Sequence, residues 1–366
     1  MTSLFVRAAR RGAQEQIGHV SLVRHEAARG RVAEIYAQLE RDFGILAPPV
    51  ILHSPAPAML AAAWMMLRET LVATGRADRA AKEAVAAAVS LGNSCPYCVE
   101  VHSMTLHGLV RGHDAEAIAR DRLIEIREPR IAAIAEWARR SGEKGPSGRD
   151  TPPFLPALGP ELIGVAVVFH YYNRMVNVFL GDTPFPDRTP ARVRRGLKRL
   201  IGRYMAPGAS NFHEPGASLG LLPGGPLPED FGWAKANGMV ADAFARSATA
   251  IDEAGKRVVP ASVRDLLAAE LEAWDGRPPG LGRGRFDDAV AGLPAADRPA
   301  GRLAMLTAMA SYRVDQAVID AFRRDDPADA RFVEFVSWAA FTAARRAGAL
   351  SRDLAGGIAE GAEGVE

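Results

Sequence analysis

The chain is read as an all-α protein built from two tandem helical lobes that form an internal pseudo-dimer, the second lobe degenerate. Three observations predict this. Apolar residues recur at helical spacing between Gly- and Pro-rich breaks. No strand-rich βαβ pattern surrounds the cysteines. The order of segments in the first half reappears in the second. The expected organisation is an N-terminal flexible arm over 1–22, a catalytic lobe over 23–187, and a linker over 188–230. The second lobe spans 231–350 and a flexible tail 351–366.

At 366 residues with 48% hydrophobic and 24% charged content, the chain can bury a core large enough for two units. A net charge of +2 with scattered basic residues argues against nucleic acid as a partner. Residues 1–22 hold Arg7, Arg10 and Arg11 but no apolar run fit for a signal peptide. No stretch of about 18 apolar residues offers a membrane span. The two cysteines share one motif, so no structural disulfide is expected elsewhere, and a cytoplasmic location fits a dithiol that cycles.

In chain order, Val32, Ile35, Tyr36 and Leu39 mark a helix over Ala28 to Phe43, which Pro48-Pro49 ends. Ala56 to Thr74 is a long apolar helix whose Trp64, Met65 and Met66 read as core filler. Asp78 caps the next helix, which carries Lys82 and Glu83 in its opening turns. Its Ala84 to Val89 run lets neighbours approach closely. Gly92-Asn93 reads as a stop in the left-handed C′ conformation. Pro96 then opens a new helix, with Cys95 near the N-cap. That helix runs to about Leu109.

On it, Cys95, Cys98 and His102 are spaced i−3, i and i+4, so all three project from one face within about 60°. A thiolate is the reactive form of cysteine, and both a helix N-terminus and a nearby base favour it. His102 can take the thiol proton. A carboxylate that orients the imidazole completes a relay, and Glu83 on the preceding helix is the nearest candidate. Two thiols in C-x-x-C close into a disulfide once one is oxidised.

Other readings of this motif exist. A thioredoxin-like dithiol would make Cys95 the nucleophile but needs the missing βαβ context. Zinc held by Cys95, Cys98, His102 and His107 is disfavoured because His107 lies about 140° around the helix from His102. A c-type haem needs His where Val99 stands. Two inert core cysteines would leave the i+4 histidine without a purpose.

Glu83, Cys95, Cys98 and His102 together resemble the E…C-x-x-C-x-x-x-H signature of the alkyl hydroperoxidase D-like, carboxymuconolactone decarboxylase superfamily. Leu91 to Cys98 and Phe169 to Arg174 resemble its peroxidase-related branch, and the likeness spans roughly residues 30 to 180. It implies a thiol peroxidase acting on organic or hydrogen peroxide. Cys98 would be oxidised to the sulfenic acid, Cys95 would close the disulfide, and Glu83 and His102 would form the proton relay. An external dithiol, on a lipoylated protein or a small thiol carrier, would recycle the pair, with no flavin, haem or metal needed. Tyr97 stands where the family often has histidine. Two rival functions are a non-redox lyase of the same superfamily and a non-catalytic interaction protein. A homo-oligomer is expected.

Beyond the motif, Asp114 opens a short helix and Arg130 to Arg140 forms another, followed by a Gly/Pro-rich loop over 141–160. Leu162 to Leu180 is apolar all round and therefore buried. Its His170, Tyr172 and Asn173 then need internal partners. A satisfied core network is the first reading, with Tyr97, His170 and Asn173 as candidates for positions supporting the dithiol. Arg192 to Arg203 reads as a basic amphipathic helix with a solvated face.

The second half repeats the order. Met239 to Ala254 parallels the Trp64 helix, and Val259 to Asp265 parallels the approach to Glu83, with Asp265 opposite it. Phe335 to Thr342 mirrors Ala166 to Asn173. Arg277 and Gly280 stand in place of the cysteines, so this half has no thiol chemistry.

Overall fold

The computed structural model describes residues 10–110, 112–144, 152–185, 211–280, 284–324 and 326–353, with the isolated positions 189, 192 and 196. Among these the architecture is all-α. The one extended pairing is a lone antiparallel bridge between Ile17 and Leu180. Apart from positions 192 and 196, the basic segment expected over Arg192 to Arg203 lies outside the described residues, as does most of the tail.

Helix α1 (Gly30–Asp42) and helix α2 (Pro57–Leu67) form as their periodicity predicts. At Arg68–Val72 the α2 chain widens into a π-helical turn. Helix α3 (Arg79–Gly92) starts on the Asp78 carboxylate, which accepts from the Ala81 N–H at 2.9 Å. Its Ala81, Ala84 and Ala86 to Ala88 are buried. Small side chains on every side let three partners close on it: helix α4 (Pro96–His107), helix α6 (Pro129–Arg139) and helix α7 (Gly159–Phe179). Helix α5 (Gly112–Ala119) lies against α4.

The second half consists of α8 (Gly238–Val258), α9 (Ala261–Ala273), α10 (Gly284–Ala291), α11 (Arg298–Ala310), α12 (Gln316–Arg323) and α13 (Asp329–Asp353). Two long apolar helices of the first half find their covers here: α8 packs on α2 and α13 on α7. One continuous core results. Such faces could not stay exposed to water at tens of cal/mol per Å². The segment paired with Glu83 by sequence order is different in kind, for Asp265 sits exposed on α9.

Residues 10–22, expected to be loose, are held. A helix covers 10–15. Arg10 donates to Glu40 at 2.7 Å, and the Gly18 N–H donates to the Phe179 carbonyl at 2.8 Å. The anchors are backbone groups and single polar side chains, which leave no periodic trace in sequence.

Buried charge stitches the loop at 211–218 to the core. Arg68 and Glu69 have side chains 2% and 0% exposed. Arg68 donates to Asp42 at 2.8 Å and to Glu69 at 2.8 Å. Glu69 also accepts from the Gly216 N–H at 2.6 Å and the Ser218 hydroxyl at 2.6 Å. Removing one member strands the rest without solvent, so Glu69→Ala is expected to cost about 3–5 kcal/mol in urea-unfolding free energy. An unchanged midpoint would refute this pairing.

Acid should also loosen the junction of the halves. His53 lies fully inside, its Nε2 2.7 Å from the Tyr171 hydroxyl, which donates to Ser337 of α13 at 3.2 Å. Burial pulls its pKa from 6.5 down to about 4. His170, also interior, is lowered well below 6.5 by burial and by Arg174. Below pH 6.5 the unfolded chain therefore takes up protons that the folded chain refuses, and stability falls as pH falls. For His53 alone the loss between pH 6.5 and 4 approaches about 3 kcal/mol, at about 1.4 kcal/mol per pH unit. Melting temperatures from pH 8 to 5 should decline, and His53→Gln should flatten the decline.

Candidate active site

The site begins at the break between α3 and α4. Helix α3 ends with the Cys95 N–H donating to the Ser90 carbonyl at 3.0 Å and the Ser94 N–H to the Leu91 carbonyl at 3.2 Å. This is a Schellman closure. The left-handed residue is Ser94, at φ 52°, rather than Gly92 or Asn93, and Asn93 is the C-cap at φ −90°. The shift leaves the Asn93 side chain free to turn inward. The tight reversal sets Cys95 at the N-cap of α4 and Pro96 in its first turn, where a missing N–H costs nothing.

Cys95 and Cys98 are free thiols, 1% and 3% exposed, packed together with Tyr97 and Val176 of α7. Burial, and then the Cys98 sulfur, push the Cys95 thiol well above its ordinary range. The Cys98 backbone amide and the Asn173 side chain pull against them. Tyr97 points its hydroxyl at the arm, donating to Gln16 Oε1 at 2.9 Å.

One turn on, His102 is buried, with Nδ1 2.7 Å from Glu83 Oε2 across the α3–α4 contact. Its ring meets Phe169 of α7 edge-on, centroids 4.5 Å apart. The other Glu83 oxygen accepts from Arg79 at 2.7 Å. Burial alone would raise the Glu83 pKa, but Arg79 and His102 outweigh it, so the carboxylate is held below its ordinary 4.5. An ionised carboxylate on Nδ1 leaves Nε2 to exchange a proton. His107 is exposed and turned away over Gly112. Among the described residues no three His, Cys, Asp or Glu side chains converge as a metal set.

Behind the dithiol, α7 supplies a polar chain. Asn173 donates to the Ser90 hydroxyl at 2.9 Å and accepts from Asn93 at 2.9 Å. Asn93 in turn reaches His170 Nδ1 at 3.0 Å, and His170 Nε2 meets the Ser141 hydroxyl at 3.1 Å. Asn173 therefore stands beside the cysteine turn, and His170 one link further out. The second half fixes this helix: Arg174 donates to the Ala308 carbonyl at 2.7 Å and Asn177 to the Ser311 hydroxyl at 2.9 Å.

Sequence reasoning assigned no place at the site to Arg79, Ser90, Asn93, Phe169 or Gln16, although Asn93 and Phe169 lie in the segments that carry the family resemblance. Arg79 carried a signal, being i−4 from Glu83. The others are ordinary residue types whose roles come from the helix crossing.

A cleft of about 540 Å³ opens beside the turn. Its lining includes Ser90, Ser94, Cys95, Val99, Glu100 and Asp182, and does not include Cys98.

An all-helical frame holding a C-x-x-C at a helix start, backed by a buried Glu–His pair, defines a class of dithiol-bearing helical proteins. The family model described as "Carboxymuconolactone decarboxylase family" matches residues 58–140. A Mycobacterium tuberculosis protein named alkyl hydroperoxide reductase is 35% identical over 332 residues, covering 91% of this chain and 94% of that protein. The chain belongs to the carboxymuconolactone decarboxylase family. No solved structure is a significant match. No described helix is long and apolar enough to cross a membrane.

Proposed function

We propose that the chain is a thiol-dependent peroxidase that reduces organic or hydrogen peroxide. The observation that carries this reading is the buried 2.7 Å pair of Glu83 and His102, placed one turn from two contacting thiols at a helix start. The relative named alkyl hydroperoxide reductase supports it.

In this reading His102, oriented by ionised Glu83, accepts the Cys98 proton. The thiolate attacks the distal peroxide oxygen, the O–O bond breaks, and the departing alkoxide takes a proton to leave as alcohol, or as water from hydrogen peroxide. Cys98 becomes a sulfenic acid. The Cys95 sulfur then attacks the Cys98 sulfur, expelling water and closing the disulfide. An external dithiol, on a lipoylated protein or a small carrier, returns both thiols. The direct test is intact-protein mass spectrometry after one equivalent of peroxide, followed by thiol alkylation. Loss of two hydrogens together with both alkylation sites is expected. Two freely alkylated thiols would reject the reading and favour the non-redox lyase suggested by the family's description.

We further infer that residues 23–187 act as the catalytic lobe and 231–350 as a worn copy with a holding role. The support is pairwise: helices matched by sequence order, α2 with α8 and α7 with α13, lie against each other.

A further inference from the structure

We propose that the reductant attacks the oxidised site at the Cys95 sulfur, from the cleft beside the helix turn, whereas peroxide meets Cys98. The proposal rests on the peroxidase reading and adds to it a binding site and a choice of sulfur. The two thiols are neighbours but differ in surroundings. Cys95 lines the cleft of about 540 Å³ together with Ser90, Ser94, Pro96 and Val99. Cys98 does not line it, although both thiols are buried and pack with Tyr97 and Val176, and Tyr97 is tied to Gln16 of the arm. Thiol–disulfide exchange needs a near-linear approach of three sulfurs, so the sulfur with open space on its far side is the one attacked. A cleft of this size admits the end of a slender dithiol.

A thiolate of the reductant bonds to Cys95 Sγ, the Cys95–Cys98 bond breaks, and Cys98 leaves as a thiolate that takes its proton back from His102. The reductant's second thiol, deprotonated, then attacks its own sulfur in the mixed disulfide. Cys95 leaves as a thiolate, which gains a proton from solvent in the cleft. The reductant departs as a cyclic disulfide, oxidised by two electrons. In this last step the leaving sulfur is Cys95. Asn173 stands beside it, fixed by its bonds to Ser90 and Asn93.

The test uses full-length protein whose disulfide is made with diamide, so it does not depend on peroxide chemistry. A brief pulse of 2-mercaptoethanol is quenched in acid and free thiols are capped with N-ethylmaleimide. Fragmentation of the peptide that carries both cysteines then locates the adduct. Mercaptoethanol on Cys95 with maleimide on Cys98 is expected, in excess by on the order of tenfold. Because a neighbouring thiolate can scramble the adduct, single-cysteine variants give a second reading. Cys98→Ser and Cys95→Ser are loaded with 5-thio-2-nitrobenzoate and released with dithiothreitol. Release from Cys95 should be faster by on the order of tenfold. Equal rates and equal adducts, or a preference for Cys98, overturn the proposal, as does failure of diamide to close the pair. If peroxide leaves both thiols free but the diamide disulfide shows the Cys95 preference, the peroxidase reading fails while the assignment of the attacked sulfur stands.

Discussion

Cys98→Ser protein is expected to lose peroxidase turnover by a factor on the order of a thousand or more, because the thiol left on the α4 face, Cys95, is pushed well above its ordinary range by burial and so stays protonated. Cys95→Ser is expected to fail differently. It should consume about one equivalent of peroxide and stop, since the sulfenic acid then has no neighbouring thiol to close on. Trapping with dimedone separates the two, labelling Cys95→Ser after peroxide and not Cys98→Ser. The reverse labelling would exchange the roles of the cysteines, and equal labelling would remove the division of labour. Both thiols are nearly buried, so neither substitution removes a surface group, and Ser is close in volume. Circular dichroism melts should stay close to wild type, so the kinetic losses can be read as chemistry.

Glu83→Gln should give the second largest loss. The amide keeps the shape but not the charge that fixes His102 Nδ1, and loss of a positioned proton acceptor costs roughly 10²–10⁴ in rate. Glu83→Gln also leaves Arg79 without its 2.7 Å partner, so melting must be followed beside activity. The readout that a merely structural role would not move is the rate of Cys98 alkylation at fixed pH in protein with an unchanged melt, which should fall in Glu83→Gln and recover in part in Glu83→Asp. Near-wild-type peroxide rates in a well-folded Glu83→Gln protein would remove the relay from the mechanism. The same carboxylate contributes to stability. Its folded pKa is depressed below 4.5, so its contribution is complete above that value and is lost as pH falls through the depressed one. In Glu83→Gln the steepest part of the acid-unfolding curve should therefore soften.

The sequence carried the helices well where the signals are local. Asp78 as a cap, Pro96 in a first turn and the i, i+4 spacing of Cys98 and His102 are covalent-scale facts, and they persist in the fold. Helix α7 was legible as buried because it is apolar on every side. What was not legible depends on crossings. Lys82 looks like a solvated first-turn cation, yet it is buried and pairs with Glu161 at 2.9 Å, a residue 79 positions away. Asn93 reads as a helix stop, and only the left-handed turn at Ser94 reveals its amide as a link from Asn173 to His170. The arm through Gln16 and Ile17 has too few apolar residues to announce a docked segment. Its contacts run through Tyr97 and the backbone of α7.

The grip of the second half on α7 has a consequence for anyone wishing to cut the molecule down. Arg174 is buried, with its guanidinium on a carbonyl of α11 and over the ring of Trp274. A fragment stopping before residue 211 would leave that cation only the His170 carbonyl of its own helix, and would bare the flank of α7 that α13 covers. In the proposed division of roles the thiol-free portion serves as a permanent jig for the reactive one, and a truncated first half is expected to lose the support of its longest helix.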